Sequence, residues 1–158
     1  MIVVPTAAQK AVAHEIALMR RQGKEKRKFV RKDMIVQETD YLAVLAEVVA
    51  AQVFGVVPDM DYMFVDAGYD FKWRGRMVEV RHSLLQNARL IVCKKWQVEY
   101  ELTADYYVLV VGTQDKLDLI GYIPKSQVKE YGYLIDLGYG ETYCVNQAAL
   151  KPLEDLMK

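Results

Sequence analysis

The chain has 158 residues, 53% of them hydrophobic and 27% charged, which suits one domain with a substantial core and argues against wholesale disorder. Lys and Arg exactly offset Asp and Glu overall, but residues 1–33 carry nine basic side chains against three acidic ones. Such an asymmetry hints at contact with a polyanion.

Three function classes are set aside at once. With only His14 and His82 present, a histidine-rich zinc site is excluded. No run reaches the roughly eighteen apolar residues of a membrane span, and Met1 to Pro5 lacks the charged and apolar regions of a signal peptide. Cys93 and Cys144 are far apart in sequence, so two buried free thiols in a reducing, cytoplasmic compartment are expected.

Thr6-Ala-Ala-Gln9 has the form of a capping box and opens a helix with Val12, Ile16 and Met19 as its apolar stripe and Gly23 as its stop. The basic segment follows, with Lys24, Lys26, Arg27, Lys28, Arg31 and Lys32. It reads either as a solvated helix end or as an arm that contacts nucleic-acid phosphates.

A second helix is expected from Tyr41 to Phe54, capped by Thr39 and stopped by Gly55. It is apolar nearly all round, as buried helices are. Glu47 is the only ionisable acid or base between Asp40 and Asp59. A carboxylate in a buried helix must be paired or put to use. Glu47 therefore either meets a structural arginine or an exposed seam, or points into a site.

Residues 56–68 read as loop or short irregular strand. Asp70 to Arg81 then reads as a β-hairpin turning at Arg74-Gly75. This register sets Trp73 opposite Arg76 and Asp70 opposite Glu79. Alternation puts Phe71, Trp73, Val78 and Val80 on one face, and Asp70, Lys72, Met77, Glu79 and Arg81 on the other. Like charges directly opposed destabilise a strand pair, so two facing carboxylates call for a cation between them. Arg74 is a poor residue for a turn needing positive φ, and a three-residue loop would move the pairing by one.

Arg89 to Cys93 is a β-rich run, and Tyr106 to Gly112 reads as a central strand covered on both faces. Asp118 to Ile123 is a further strand, closed by Pro124. A short helix near Ser126–Glu130 follows, then strand and turn from Leu134 to Val145. The end is helical in composition, with Pro152 either starting a last helix or kinking a longer one. The fold class is α/β, a mixed central β-sheet flanked by α-helices, in one domain over 1–158. Tyr131, Tyr133, Tyr139 and Tyr143 cluster late, as a tyrosine-rich sheet edge, a dimer contact or base-stacking platforms.

A helix bearing Glu47, then Asp70, then Glu79-Val80-Arg81, then an apolar strand resembles the PD-(D/E)XK nuclease superfamily, over roughly residues 36–123. The resemblance implies a restriction-endonuclease-like core and a hydrolase acting on phosphodiester bonds in DNA, as an endo- or exodeoxyribonuclease. It implies Mg2+ or Mn2+ held by Asp70, Glu79 and the Val80 carbonyl, with Glu47 a ligand directly or through water. Magnesium takes oxygen ligands and keeps several waters, which suits such a set.

The superfamily lysine is replaced by Arg81. Arginine cannot accept a proton at neutral pH but can hold a phosphate and offset developing charge. Arg81 thus belongs to a nuclease with an altered role for this position, to one whose lysine has migrated, or to an inactive fold that only binds DNA or a partner. It could also be a structural ion-pair residue. Lys72, on the same face as Asp70, is the candidate for a migrated lysine, ahead of Lys94 and Lys95. Without a reader module, selectivity for DNA structure such as branches or ends is expected, and a homodimer would serve such cleavage. The tail Leu150-Lys-Pro-Leu is compatible with phage-type members acting in the host cell.

Overall fold

A computed structural model describes residues 1–25, 34–58, 68–92, 102–138 and 141–158. In chain order these form β1 (Ile2–Val3), α1 (Ala7–Glu25), α2 (Met34–Val53), β2 (Phe71–Trp73), β3 (Arg76–Ser83) and β4 (Leu90–Val92). Then come β5 (Tyr106–Thr113), β6 (Lys116–Pro124), α3 (Lys125–Tyr131), β7 (Gly132–Asp136), β8 (Glu141–Val145), a 3-10 turn at Gln147–Ala149 and α4 (Leu153–Met157).

The strands form two sheets. The larger has the order β1-β6-β5-β3-β2, with β3 and β5 parallel and the other neighbours antiparallel. The smaller is antiparallel, in the order β4-β8-β7. The chain is therefore mixed α/β. Helices α1 and α2 cover one face of the large sheet, while the other face meets the small sheet and α3. Of the run expected at 89–93, Leu90–Val92 lies in that second sheet, since its partners come from β8 about fifty residues later. Local periodicity carries no information about so distant a pairing.

The capping box forms as read: the Gln9 amide donates to Thr6 Oγ1 at 3.2 Å, and the Thr6 amide donates to Gln9 Oε1 at 2.7 Å. The stripe that follows differs from expectation. Ala13 and Ile16 are buried against α2, whereas Val12 and Met19 are exposed. Small residues let the two helices approach closely. The helix also runs past Gly23 to Glu25, because a single glycine costs only about 1 kcal/mol in a helix. Likewise α2 starts at Met34, ahead of the expected cap at Thr39.

The end of α2 is as expected. Gly55 has φ +70°, its amide donates to the Gln52 carbonyl, and the Val56 amide donates to the Ala51 carbonyl, each near 3 Å. This is a Schellman closure, which needs a left-handed residue at the Gly55 position. Leu45, Ala46, Val49, Ala50 and Ala51 are completely buried. They pack with Phe71, Trp73, Val78, Val80, Val108 and Val110 into one cluster. A second cluster on the opposite face joins Tyr107, Leu109 and Val111 to Leu90, Val92 and Val145.

Pro152 precedes α4 and starts it rather than kinking a longer helix. Cys144 is a buried free thiol, whereas Cys93 lies outside the described residues. The irregular stretch expected at 56–68 is described only at its two ends. Among the described residues no helix is long and apolar enough to cross a membrane.

Candidate functional site

The hairpin supplies the site. Trp73 pairs with Arg76, Lys72 with Met77 and Phe71 with Val78. Two-residue closure requires positive φ at both turn positions, and Arg74 adopts +47° beside Gly75 at +75°. The Arg74 guanidinium stacks 4.5 Å from the centroid of the Trp73 ring, a contact worth about 0.5–1 kcal/mol that helps an unsuited residue hold this conformation.

The paired register ends at Phe71–Val78: the Asp70 amide turns to the Val78 carbonyl and not to Glu79, so Asp70 sits just before β2 and is not set directly opposite Glu79 as the turn predicted. There Asp70 Oδ2 accepts a 2.6 Å hydrogen bond from the Val80 amide. The Asp70 amide donates to the Val78 carbonyl at 2.8 Å. A strand residue turns its N–H and C=O to the same side, so the Val80 carbonyl is also directed toward this edge. Glu79 is buried, and its carboxylate is ion-paired with the Arg81 guanidinium two residues along the same face. The neighbouring strand β5 places Tyr107 at the position of Glu79. Burial is the main cause that pushes the Tyr107 hydroxyl up to about 12, and the Glu79 charge adds to it.

Glu47 approaches from α2 and is itself buried. Arg20 of α1 meets it, with Nη1 at 2.8 Å from Oε2 and 3.0 Å from Oε1. Sequence reading left open whether Glu47 meets an arginine, but did not identify Arg20. Helical spacing holds the missing signal, since Arg20 lies four residues after the buried Ile16 and so follows the same stripe. Burial is the largest cause that lifts the Glu47 carboxyl to about 8, and repulsion from Asp70 is the next. Arg20 and Arg81 both oppose the rise. Thus Glu47, Asp70 and Arg81 lie within electrostatic reach of one another, although α2 and the hairpin are separate elements.

The other candidates are placed differently. Lys72 is exposed, with its ammonium 5.4 Å from the Tyr69 ring centroid, and it forms no ion pair among the described residues. His82 is half-buried and bonds through Nε2 to the Gly112 carbonyl at 2.8 Å, as suits a packed imidazole; burial lowers its pKa. Lys26, Arg27, Lys28, Arg31 and Lys32 lie outside the described residues, as do Lys94, Lys95 and Tyr139. Lys24 falls in the last turn of α1.

Among the described residues no three His, Cys, Asp or Glu side chains stand close enough together to form a ready-made metal cage. The donors nevertheless fit magnesium in kind. Two carboxylates and a main-chain carbonyl are oxygen donors, the kind that ion takes. No protein-family model matches the chain, and no curated protein or solved structure matches it.

Proposed function

We propose that the chain is a magnesium- or manganese-dependent nuclease of the PD-(D/E)XK type, hydrolysing phosphodiester bonds in DNA with a preference for branched or end structures. The observation that supports this reading is the 2.6 Å hydrogen bond that the Asp70 carboxylate accepts from the Val80 amide, next to Glu79 in β3. The parallel β3–β5 pairing and the electrostatic influence of Asp70 on Glu47 are compatible with it.

In this reading Asp70, Glu79 and the Val80 carbonyl hold the metal, and Glu47 joins directly or through water. Bound there, the ion would polarise a phosphodiester oxygen and lower the pKa of an attacking water. Arg81 leaves Glu79 to hold the scissile phosphate and offset its developing charge. It cannot serve as the general base, because a guanidinium does not release its proton near neutral pH. The basic segment from Lys24 to Lys32 contacts flanking phosphates, and a homodimer would let two such sites act on two strands.

A second reading is favoured by a specific observation. Glu47 and Glu79 each already face an arginine. A site settled in that way is a structural ion network with no need of a metal, in a chain that binds DNA or a protein partner without cutting.

Plasmid and branched DNA incubated with Mg2+ or Mn2+ separates the two. The nuclease reading expects cleavage by the wild type and none by Glu79→Ala. Wild-type inertness with both metals, together with activity gained by Arg81→Lys, selects the binding reading instead.

A further inference from the structure

Beyond Arg81, where the end of β3 meets the small sheet, lies an open cavity of about 640 Å3. Its walls include Arg81, Arg89, Ile91, Leu109, Ile135 and Cys144. Strand pairing fixes one wall. Ile91 is opposite Cys144, and Cys144 is opposite Tyr133, so these three share a face of the small sheet. Ile135, two residues beyond Tyr133 on β7, shares it as well.

The cavity has a marked chemical polarity. Its aliphatic wall is made by Ile91, Ile135, Leu85 and Leu137, and among the described residues its charged lining side chains are Arg81 and Arg89. Among the described residues no acid lines it. Arg89 is aimed rather than loose: Nη1 donates to the Tyr133 hydroxyl at 2.6 Å, and the guanidinium lies 6.0 Å from that ring's centroid. A guanidinium has five N–H donors, so this bond leaves most of them for an anion. Ser83 and Asn87 add small polar groups to the lining.

We infer that this cavity is a subsite for one unpaired nucleotide, with its phosphate between Arg81 and Arg89 and its base against the Ile91–Ile135 wall. The inference rests on the nuclease reading for its substrate, because Arg81 belongs both to the acid site and to the cavity. The volume lies within the roughly 300–1,000 Å3 of small-molecule sites. A base lying against the small sheet is closed off from a complementary strand. The nucleotide taken up must therefore come from a flap, a frayed end or a branch, or be rotated out of its helix at some cost.

The test uses the full chain in EDTA, so that binding does not depend on a metal. Deoxyadenosine monophosphate, deoxyadenosine and inorganic phosphate are titrated separately and followed by backbone amide NMR. The monophosphate should move amides of residues 83–91 and 133–144 and bind at least tenfold more tightly than either fragment. Arg89→Ala, at an exposed position, should fold normally and weaken it by about tenfold, the loss expected for a charged hydrogen bond. Ile135→Ser should weaken the monophosphate but not inorganic phosphate.

Absence of monophosphate binding, phosphate binding as tightly as the nucleotide, or an unchanged Arg89→Ala each overturns the inference. A cleavage arm then separates it from the function on which it rests. If duplex DNA is cut with Mn2+ but the monophosphate does not bind in the cavity, the subsite fails and the nuclease reading stands. If nothing is cut and the monophosphate binds as described, the nuclease reading fails and the nucleotide cavity stands.

Discussion

The two faces of the large sheet are covered by different elements. Against α1 and α2 the contact is apolar and rich in alanine, and the pair Arg20–Glu47 reaches into it from one side. On the other face, Glu79 and Tyr107 are inside, and Arg81 opens onto a cavity shared with the small sheet. Each face carries an apolar cluster and a Glu–Arg pair, and the second also opens onto the cavity. Proteins tend to keep binding chemistry on surfaces positioned by a rigid scaffold, and this division is one way to do so. Substitutions on the two faces should therefore separate stability from activity.

The largest contrast is expected at Glu79 and Leu45. In the nuclease reading, Glu79→Ala should lower cleavage by at least about a hundredfold, on the scale of losing one transition-state contact. Its effect on the thermal midpoint should be small, because it also removes a buried charge. Leu45→Ala lies in the helix-covered core at 0% exposure and should cost about 2–5 kcal/mol, a drop of several degrees or more in the midpoint. The surviving folded protein should still cleave. Thermal melts beside DNA cleavage decide it: equal loss of both properties in both variants would break the division.

Glu47 crosses that division, and pH exposes it. Its carboxyl titrates near 8 in the folded chain but near the ordinary carboxylate value when unfolded. From about pH 4.5 to 8 the folded state holds the extra proton, so stability falls as pH rises through that window and levels off above it. The slope approaches about 1.4 kcal/mol per pH unit at most. Metal-free Glu47→Gln should lose this slope, and denaturant melts at pH 5, 7 and 9 measure it. Parallel curves for variant and wild type would place the titration elsewhere.

The hairpin shows what a sequence makes legible. Its register from Trp73–Arg76 to Phe71–Val78 depends on two residues at a turn and on alternation over a few more, all local; the expected opposition of Asp70 and Glu79, one step further, fails because the Asp70 amide turns to the Val78 carbonyl. The termination of α2 at Gly55 was legible because it too is local. The small sheet was not, because β4 finds β8 across about fifty residues. The Arg20–Glu47 pair hid behind another non-local fact, that α1 lies on α2. Val12 and Met19 looked like that helix's buried stripe because hydrophobicity cannot say which side of a mixed helix meets a partner, while the smaller Ala13 was chosen by close approach. The cavity combines both kinds of distance, requiring β3, β4 and β7 together.

The smallest effect tests the local half. Gly75 has φ +75°, and a Cβ there would meet nothing within 4 Å, so Gly75→Ala isolates the backbone cost of a left-handed residue. That cost is about 1–2 kcal/mol, or a few degrees in the thermal midpoint. If the turn holds, the variant loses only stability and keeps its cross-strand Trp73–Arg76 contacts by NMR. If the chain instead relaxes to a three-residue loop, the pairing moves by one and Asp70 loses the Val80 amide from which its carboxylate now accepts. Manganese affinity and cleavage would then collapse far beyond what so modest a loss of stability can produce. The turn would in that case set the chemistry as well as the fold, tying both faces of the sheet to Arg74 and Gly75.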